Sequence, residues 1–600
     1  MRIYEDLRLV QSRLAVLQGL AVLLVAGLVL QFWNLQVVRA RHFRDQAENN
    51  RSRLVTLAAP RGALVDRNGK LLVGNRPSFS VMLMPEHAEN LDRVVSRLAS
   101  ALGIGEAVIR ERLARRQPYR PVVIKNDATL ADIAVLDARR RELPEVSVEV
   151  VPLRSYPLAS AAAHALGRVG EITERQLQLP EYRGLGPGSL VGQAGLESRY
   201  NRELMGSDGF RRVIVNSRGL EVQEAMREPP RDGPNLTLSI DASLQAAMEA
   251  AVEGRSGSAV ALDPQTGEIL AMTSTPAYDP NQFTTGIDPT LWASLASNPE
   301  TPLMNRVIQG AYAPGSTFKV IAATAALEEG VITPETTFYC PGQLNVYNTT
   351  FRCHPGGHGV VDLRRAIAVS CNVYFYQVGI RLEIARLAKW AKLMGLGAPT
   401  GVDLPAEAGG LMPSAEWKLR VLKTPWYAGE TVSVAIGQGQ VSATPIQMAR
   451  VAAFVANGGR LVRPHFAREA TQPEPEPIVH PETIAAVKEG MRRVVAEGTG
   501  YRARLAEVEV CGKTGSAQVV THARLEKSPT AHEVQPHGWF ICFAPADRPR
   551  IALAVLVEHG RSGGESAAPV ARKILAHYFG LEREQPAPGG GVVDVADTQD

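Results

Sequence analysis

The chain has few cysteines, little net charge and no block of basic residues. Its 600 residues carry 65 lysines and arginines against 61 aspartates and glutamates, a formal net charge of +4. Because the two signs are interspersed, the charge pattern gives no indication of nucleic-acid binding. There are only 5 cysteines, and an odd number argues against a plain disulfide framework. The remaining composition, 45% hydrophobic, is that of a globular chain with room for several domains.

Charge is also missing from one long stretch near the N-terminus. The 25 residues from Leu14 to Val38 contain no charged side chain, and Arg13 and Arg39 bound them. A helix of this length spans the roughly 30 Å hydrocarbon core of a membrane with some tilt. A cleaved signal peptide would need a small-residue cleavage site, and residues 32–35 offer none. We therefore expect one uncleaved membrane anchor over residues 14–38.

Three short motifs follow one another in the second half of the chain. They are Ser316-Thr317-Phe318-Lys319, Ser370-Cys371-Asn372 and Lys513-Thr514-Gly515. Each motif alone carries little information, but this combination in this order is typical of penicillin-binding proteins and serine β-lactamases. The chain resembles that superfamily, and the resemblance implies an acyl-transfer enzyme.

The first motif has the residue types needed to activate a serine. A serine hydroxyl is a weak nucleophile and needs a base beside it. Pro314 and Gly315 predict a turn, and the apolar run after Lys319 predicts a buried helix that begins at Ser316. A spacing of three places both side chains on one helix face, and burial disfavours a charged lysine. We expect Lys319 to accept the proton of Ser316; a surface lysine near a capping serine is the alternative.

The second motif is expected on a loop between helices, on one side of the pocket. Ser370 could relay a proton between Lys319 and a leaving amine. Asn372 could hold Lys319 and donate to a substrate amide. Taken alone, Ser-Cys-Asn would be interpreted as an ordinary polar turn.

The third motif follows an alternating stretch that predicts a strand edge. Lys513 and Thr514 suit the terminal carboxylate of a peptide, and Gly515 permits close backbone approach. By analogy with the family, the backbone N–H groups of Ser316 and Ser516 form an oxyanion hole. A strand end without function is the alternative.

Residues 39–236, between the anchor and the catalytic part, have a different sequence pattern. Asn68-Gly69 predicts a hairpin, residues 86–116 and 128–142 have helical periodicity, and residues 146–152 alternate like a strand. No nucleophile–base constellation is found there, and a glycosyltransferase domain would need more length. Residues 154–157, 164–171 and 192–200 resemble the non-catalytic pedestal of class B penicillin-binding proteins, where we expect turns and ion pairs that hold the fold.

We predict an α+β multidomain chain: a transmembrane helix, a mixed α/β pedestal and a β-lactamase-like transpeptidase domain with a central antiparallel sheet flanked by helices. Strands near 258–273 and 508–557 enclose the helical middle of that last domain. The predicted divisions are a cytoplasmic N-terminus at 1–13, the anchor at 14–38, the pedestal at 39–236 with a head near 77–150, the transpeptidase domain at 237–582 and a disordered tail at 583–600. The polar loop 521–536 is expected to border the pocket.

Three of the cysteines crowd together in sequence with two histidines. Closed structural zinc sites use four Cys or His ligands. The candidate set is Cys340, Cys353, His358 and Cys371. Residues 357–362 resemble the elongation-type penicillin-binding proteins, some of which hold a structural metal nearby with acidic, His and Cys ligands; here cysteines stand where acids are expected.

Other interpretations of the cysteines stay open at the level of sequence. Cys340 and Cys353 could form a disulfide with Cys371 buried beside it. His354 could replace His358 as a ligand. Cys511 and Cys542 could pair across neighbouring strands, or be inert buried thiols.

The resemblance implies a membrane-anchored peptidoglycan D,D-transpeptidase of the elongation type. Ser316 would attack the carbonyl between two D-alanines of a stem peptide, with no cofactor for catalysis, and β-lactams would acylate the same serine. The implied partner is a SEDS-family glycosyltransferase, in the cell (inner) membrane, with the N-terminus cytoplasmic and the catalytic part outside. Alternatives are a division-type protein, a β-lactam sensor or β-lactamase, or mainly an activator of the glycosyltransferase.

Overall fold

The computed structural model describes residues 7–41, 43, 52–114, 121–186, 188–216, 221–468, 475–519 and 532–581. The chain forms two compact units. The first combines Met1–Pro60, Pro77–Pro152 and Gly206–Asp232, and the second combines Arg61–Arg76, Leu153–Met205 and Gly233–Asp600. The predicted tail 583–600 and most of the loop 521–536 lie outside the described residues.

The first unit begins with the predicted anchor. Leu7–Trp33 is α-helical and continues as a π-helical turn over Asn34–Val38. Within the described residues, one helix is long and apolar enough to cross a membrane, Gln11–Val38, with 28 residues. Its apolar side chains are exposed, with Leu23 at 73%. In water such exposure would be unfavourable, so a lipid environment suits this helix.

The rest of the first unit combines short helices with two groups of strands. Strands β1 (Ser52–Leu57), β8 (Gly209–Val215) and β9 (Glu221–Glu228) form an antiparallel sheet in the order β1-β8-β9. A second group contains β4 (Val122–Lys125) paired with the later part of β3 (Leu71–Leu83), which also pairs with β5 (Val146–Ser155). The helices are Leu91–Leu102, Glu106–Ala114 and Leu130–Ala138.

The helical periodicity over 86–116 corresponds to two helices. Asn90 caps a helix that ends at Gly103, whose φ of 63° is left-handed. Glycine adopts this conformation without the cost that a Cβ imposes, so it ends helices readily. A second helix then starts at Glu106. The predicted helix over 128–142 is shorter, because Thr129 forms a capping box with Asp132 and the helix ends at Ala138.

The second unit begins with the predicted hairpin. β2 (Leu64–Val65) pairs antiparallel with the start of β3, and Gly69 has φ 84° in the turn between them. β10 (Leu236–Thr237) adds to β2 in parallel, and β6 (Arg168–Glu171) pairs with β7 (Leu190–Ala194). Four short helices accompany these strands: Ala163–Leu166, Glu174–Leu177, Gly195–Arg199 and Asn201–Leu204.

Two of the pedestal motifs meet in a buried ion cluster of the second unit. The Glu197 side chain is fully buried and accepts from Arg61 Nη2 at 2.7 Å and from Arg154 Nε at 2.6 Å. Arg61 also donates to Asn201 Oδ1 at 3.0 Å. A buried carboxylate needs such partners to offset its loss of hydration. The cluster thus ties together three segments that are distant in sequence.

A five-stranded sheet forms the centre of the second unit. Its strands are β11 (Gly257–Leu262), β12 (Ile269–Thr275), β17 (Cys511–Ala517), β18 (His537–Ala544) and β19 (Ile551–Val557). Every pairing in the order β12-β11-β19-β18-β17 is antiparallel. All residues of β19 are buried, as expected for a strand with helices on both faces. The predicted antiparallel sheet flanked by helices is confirmed.

Helices cover the two faces of this sheet. One face packs against Ala242–Val252 and Ala568–Tyr578, and the other against Pro445–Ala456 and the helical middle of the unit. The remaining helices are Pro289–Ala296, Arg306–Gln309, Lys319–Glu328, Leu363–Ala368, Asn372–Leu393, Ala415–Leu422, Ala428–Val434 and Pro481–Ala496. Two small antiparallel pairs stand among them: β13 (Phe338–Cys340) with β16 (Gly359–Val361), and β14 (Gln343–Val346) with β15 (Thr349–Arg352).

Candidate active site

The first motif lies on a tight turn that runs into a helix. Gly315–Phe318 is a 3₁₀ turn, and the α-helix begins at Lys319 rather than at Ser316. The reason is local: Thr317 donates to Pro314 O with its backbone N–H at 3.3 Å and its hydroxyl at 2.6 Å. These three-residue bonds wind the first turn more tightly than an α-helix. Ser316 is thereby held at the head of the helix and is largely buried.

Two glycines bring this turn against the edge of the sheet. Gly315 has φ 52°, and a Cβ there would lie 2.5 Å from the carbonyl oxygen of Ser516. A Cβ on Gly515 would lie 2.9 Å from Pro314 O. Both distances are shorter than atoms tolerate, so the two backbones approach only because side chains are absent. Ser316 therefore lies beside the backbone of β17, as the predicted oxyanion hole requires.

Lys319 connects the first motif to the second. Its fully buried Nζ donates to Ser370 O at 2.8 Å, to Ser370 Oγ at 3.1 Å and to Asn372 Oδ1 at 2.5 Å. All three acceptors are uncharged. Ser370 lies between Leu363–Ala368 and Asn372–Leu393, as predicted for a loop between helices. Its φ of 56° is unusual for a non-glycine residue and is typical of functional sites.

The third motif completes the group. Lys513 lies within β17 rather than after a strand that ends at Cys511, and its fully buried Nζ donates to Ser370 Oγ at 3.0 Å and to Thr514 O at 3.0 Å. The hydroxyl of Ser370 thus contacts both lysines. Thr514 Oγ1 lies 2.6 Å from Thr499 Oγ1, which fixes its rotamer. The three motifs span about 200 residues of sequence, and Lys319 of the first and Lys513 of the third both contact Ser370 Oγ of the second.

Several residues near this centre lie outside the three motifs, although Arg306 and Tyr312 belong to segments that resemble the family. Tyr312, four residues before Ser316, donates its hydroxyl to Glu558 Oε1 at 2.6 Å, and Arg306 Nε donates to the same oxygen at 3.1 Å. Burial raises the pKa of Tyr312 well above its usual range, so this hydroxyl stays a donor. Burial opposes ionisation of Glu558, but the bonds from Tyr312 and Arg306 lower its pKa on balance. This network secures the segment that leads into the nucleophile turn, and only a structure could reveal it.

Gln438 is a second such residue. Its side-chain Nε2 donates to Ser516 O at 3.1 Å, on the edge of β17. The Gly-Gln-Gly-Gln sequence at 437–440 belongs to the resemblance, but nothing in its composition predicts a contact with the third motif.

The four predicted metal ligands come together. The ligand atoms of Cys340, Cys353, His358 and Cys371 all lie within 4.8 Å of one another. His358 Nδ1 is 3.5 Å from both Cys340 Sγ and Cys353 Sγ. Ligands about 2.0–2.3 Å from a tetrahedral zinc are separated by roughly 3.3–3.8 Å, so the set fits with small adjustments. His354 lies outside the set, although its ring is 5.7 Å from that of His358.

All five cysteines are free thiols, so Cys340 and Cys353 form no disulfide. Cys371 donates hydrogen bonds within the cluster, which lower the pKa of Cys353 and of Cys340. Cys511 and Cys542 are on the adjacent strands β17 and β18, and both are buried. Burial raises the pKa of Cys511 to about 12 and that of Cys542 further. These two thiols are accordingly unreactive.

The cysteine cluster is in direct contact with the loop that carries the second motif. The backbone N–H of Asn372 donates to Cys353 Sγ at 3.2 Å, and the side chain of Asn372 donates to Arg352 O at 3.4 Å. Cys371 stands between Ser370 and Asn372 and precedes the helix Asn372–Leu393. The position of the second motif therefore depends on the cluster.

Comparison with known proteins identifies two family models along the chain. The penicillin-binding protein transpeptidase domain matches residues 257–576, and the penicillin-binding protein dimerisation domain matches residues 56–238. The peptidoglycan D,D-transpeptidase MrdA of Acinetobacter baumannii is 34% identical over 97% of this chain and 90% of its own. MrdA of Escherichia coli K12 is 33% identical over 94% of each.

Solved structures agree with this assignment. The penicillin-binding protein PBP2 of Helicobacter pylori, in complex with MreC, has a TM-score of 0.79 at 29% identity over 88% of this chain and 99% of its own. A chain from a structure that describes polymerization and crosslinking by a peptidoglycan synthase complex has a TM-score of 0.69 at 31% identity over 95% of this chain and 98% of its own. With both domains matched and the relatives named, the chain belongs to the class B penicillin-binding proteins of the elongation type, the family of peptidoglycan D,D-transpeptidases.

Proposed function

We propose that this chain cross-links peptidoglycan stem peptides through an acyl-enzyme on Ser316. The observation that carries the proposal is the shared contact of Ser370 Oγ with Lys319 at 3.1 Å and with Lys513 at 3.0 Å, beside the nucleophile turn. This arrangement connects a base, a relay and a substrate-binding lysine within hydrogen-bond reach of one another.

In acylation, Ser316 Oγ attacks the carbonyl carbon between the two D-alanines while Lys319 takes the hydroxyl proton. The C–N bond then breaks, and the proton passes through Ser370 to the leaving amine, so that D-alanine departs and an ester remains. The two lysines converge on one oxygen, and two positive charges there would repel each other. Lys319 follows Ser316 by three residues at the start of the helix, which favours Lys319 as the base of the pair.

Charge that develops on the carbonyl oxygen needs donors that are already in place. The backbone N–H groups of Ser316 and Ser516 are the candidates, since the nucleophile turn and β17 lie against each other. A donor of this kind contributes about 2.7–4 kcal/mol to transition-state stabilisation. Lys513 and Thr514 precede Ser516 on β17 and suit the terminal carboxylate of the donor peptide. Gly515, which has no side chain, lets β17 lie close to the nucleophile turn.

In the second step, an amine of a neighbouring stem peptide attacks the ester. Its proton passes to Lys319, the C–O bond breaks and Ser316 recovers its hydrogen, which leaves a new amide as the cross-link. A β-lactam carries a strained amide in place of the scissile one and acylates Ser316 in the same way. Because no amine is then positioned for the second step, the adduct should persist.

The test is covalent labelling of the detergent-solubilised full-length chain with a fluorescent penicillin. Ser316→Ala should abolish labelling, because no other group supplies the attacking oxygen. Ser294→Ala, on the exposed helix Pro289–Ala296, is the control and should label normally. Labelling that persists in Ser316→Ala would refute the nucleophile, and loss of the adduct within seconds would favour a β-lactamase.

We propose further that Cys340, Cys353, His358 and Cys371 hold a structural zinc ion that braces the second motif. Three thiolates and one imidazole are a typical donor set for a closed zinc site. Zinc would supply no chemistry to the reaction; its ligands would hold Asn372 through Cys353. The purified chain should contain about one zinc per molecule, and Cys371→Ser should lose it whereas Cys542→Ala should not. A metal-free chain lighter by two hydrogens than the reduced mass would instead indicate a disulfide.

We also propose where in the cell the reaction takes place and which protein assists it. The apolar helix Gln11–Val38 supports a single-pass anchor in the cell membrane. The proposed orientation, with the N-terminus cytoplasmic and the catalytic part outside, follows from the family resemblance. One similar structure is of a peptidoglycan synthase complex, which supports a membrane partner, proposed here as a SEDS-family glycosyltransferase. Co-purification of the two full-length proteins should be lost when the anchor is exchanged for an unrelated apolar helix. Retention would place the interface elsewhere.

A further inference from the structure

One edge of the central sheet faces the nucleophile instead of another strand. β17 is the last strand in the order β12-β11-β19-β18-β17, so no strand among the described residues pairs with its outer N–H and C=O groups. An outer edge of this kind can add an extended peptide as a further strand. In an antiparallel pair the N–H and C=O of one residue point to the same side. The Ser516 carbonyl, reached by Gln438, therefore points outward together with the Ser516 N–H.

The side chain of Gln438 donates a hydrogen bond to this outward carbonyl. Its Nε2 lies 3.1 Å from Ser516 O, and the residue is half-buried. The backbone around it is fixed: Gln438 N–H donates to Ser433 O at 3.0 Å, and Gly437 O accepts from the N–H of Gly315 at 3.1 Å. The backbone of this loop is thus hydrogen-bonded to the nucleophile turn, so a displaced Gln438 would move through its side chain alone.

The Gln438 side chain holds the Ser516 carbonyl by one neutral hydrogen bond. A ligand that brings its own N–H to this oxygen replaces that bond by an equivalent one, so displacement of the side chain costs little.

We propose that Gln438 is a specificity residue of the acylation step, which caps the Ser516 carbonyl until an acyl donor with its own amide N–H replaces it. The inference rests on the proposed function, because it assumes that donors align along β17 on their way to Ser316. A donor with an N–H at this point exchanges one neutral hydrogen bond for another. A donor without that group gains nothing from the carbonyl and leaves the cap in place.

The test compares two β-lactams on the solubilised full-length chain. Benzylpenicillin carries a side-chain amide N–H, and a penam without the acylamino substituent does not. The second-order rate constant for acylation of Ser316 is measured by intact mass for the unmodified chain, Gln438→Ala and Gln438→Met. Methionine retains the volume of glutamine without its donor, so it serves if alanine disturbs the loop. Gln440→Ala, exposed on the same loop, is the matched control.

With the cap removed, benzylpenicillin should acylate about two- to tenfold faster, the range expected for one neutral hydrogen bond. The penam without the amide should react at an unchanged rate, and Gln440→Ala should match the unmodified chain for both. Equal slowing of both compounds would make Gln438 a purely structural residue and overturn the proposal, as would unchanged rates for both. If the unmodified chain forms no adduct on Ser316 with either compound, the proposed function itself fails.

Discussion

The hydroxyl of Ser370 receives hydrogen bonds from two buried lysines, and its backbone adopts a left-handed φ to do so. A conformation of this kind costs about 1–3 kcal/mol in a non-glycine residue and persists only where its surroundings enforce it. The hydrogen bond from Asn372 N–H to Cys353 Sγ and the contacts of Lys319 supply that enforcement. A small polar side chain is thus held in a strained position beside Lys319, as the proposed proton relay from Lys319 to the leaving amine requires.

Substitution of Gly315 should separate catalysis from folding. In Gly315→Ala the new Cβ would lie 2.5 Å from Ser516 O, so the nucleophile turn must move away from β17. A misplacement of about 1 Å can cost a factor of roughly 100 in rate. We expect the rate of penicillin acylation to fall at least that far, as measured by intact mass.

The matched control is Gly330→Ala, just beyond the other end of the same helix. Gly330 has a similar φ of 64°, but a Cβ there would meet nothing within 4 Å. Alanine should cost about 1 kcal/mol in backbone strain and leave acylation unchanged. Equal loss of acylation in both variants would show that strain, and not the contact with Ser516, governs the effect.

At the residue level, the sequence indicated the motif residues of the site but not the contacts that hold them in place. Ser316, Lys319, Ser370, Asn372 and Lys513 were predicted from motif spacing and lie together in the structure. Their roles stay predictions until the variants are measured. Tyr312 and Gln438 lie in segments that resemble the family, but their contacts with Glu558 and Ser516 were not predicted, because residues so far apart in sequence share no periodicity.

Among the elements, the segments of the pedestal that belong to the second unit are held by charge as well as by packing. The strand β5, the helix Gly195–Arg199 and the segment before β2 meet at Glu197, which neutralises part of the charge of Arg61 and Arg154. The Arg154 side chain is 2% exposed and that of Glu197 is 0% exposed. Ion pairs this deeply buried depend strongly on both partners.

Glu197→Gln should therefore destabilise the chain by about 3–5 kcal/mol, since two guanidinium groups would lose their carboxylate in a dry environment. The midpoint of thermal unfolding of the catalytic unit, followed in the full chain, measures the loss. Asp92→Asn provides the control, because its partner Arg110 is half exposed and the pair is surrounded by water. A Glu197→Gln chain as stable as the control would mean that the cluster contributes packing rather than charge compensation.

Secondary-structure elements that depend on residues close in sequence were predicted well. Asn68-Gly69 indicated the hairpin of β2 and β3, and the alternating residues of 257–273 indicated β11 and β12. The break at Gly103 was missed because the apolar periodicity continues on both sides of it, and the left-handed φ of one glycine decided the outcome. Strand order was also beyond reach, since β11 and β19 pair across nearly 300 residues of chain.

On the scale of the whole molecule, the chain crosses between its two compact units several times. Each unit draws on three segments, so the pedestal predicted as residues 39–236 contributes to both. The second unit contains Arg61–Arg76 and Leu153–Met205 together with the catalytic domain. Composition along a sequence identifies linear stretches, and it carries no information about such interleaving. The predicted domain boundaries remain predictions of linear extent.

Stability of the folded chain should decrease as the pH falls below 6.5. Burial lowers the pKa of His164 from 6.5 to about 4, and its ring nitrogen lies 2.8 Å from Pro302 O. Between these values the unfolded chain binds a proton that the folded chain excludes. The folded state therefore loses stability as the pH falls from 6.5 to 4, by about 3 kcal/mol for one such histidine.

The midpoint of thermal unfolding between pH 7.5 and 4.5 tests this expectation. His164→Gln should flatten the profile, because glutamine retains a donor for Pro302 without titrating. Burial also lowers the pKa of His537 to about 4, so some slope should remain in every variant. A profile unaltered by His164→Gln would assign the acid sensitivity elsewhere.

The backbone contact between the nucleophile turn and β17 limits how the protein can evolve. Where Gly315 and Gly515 meet the opposing main chain, any side chain at all would disturb the enzyme's own reaction. An inhibitor whose contacts were concentrated on this main-chain junction would meet a surface that selection can hardly alter. Resistance by substitution would have to arise at side chains around the junction, where a change of residue leaves the backbone intact.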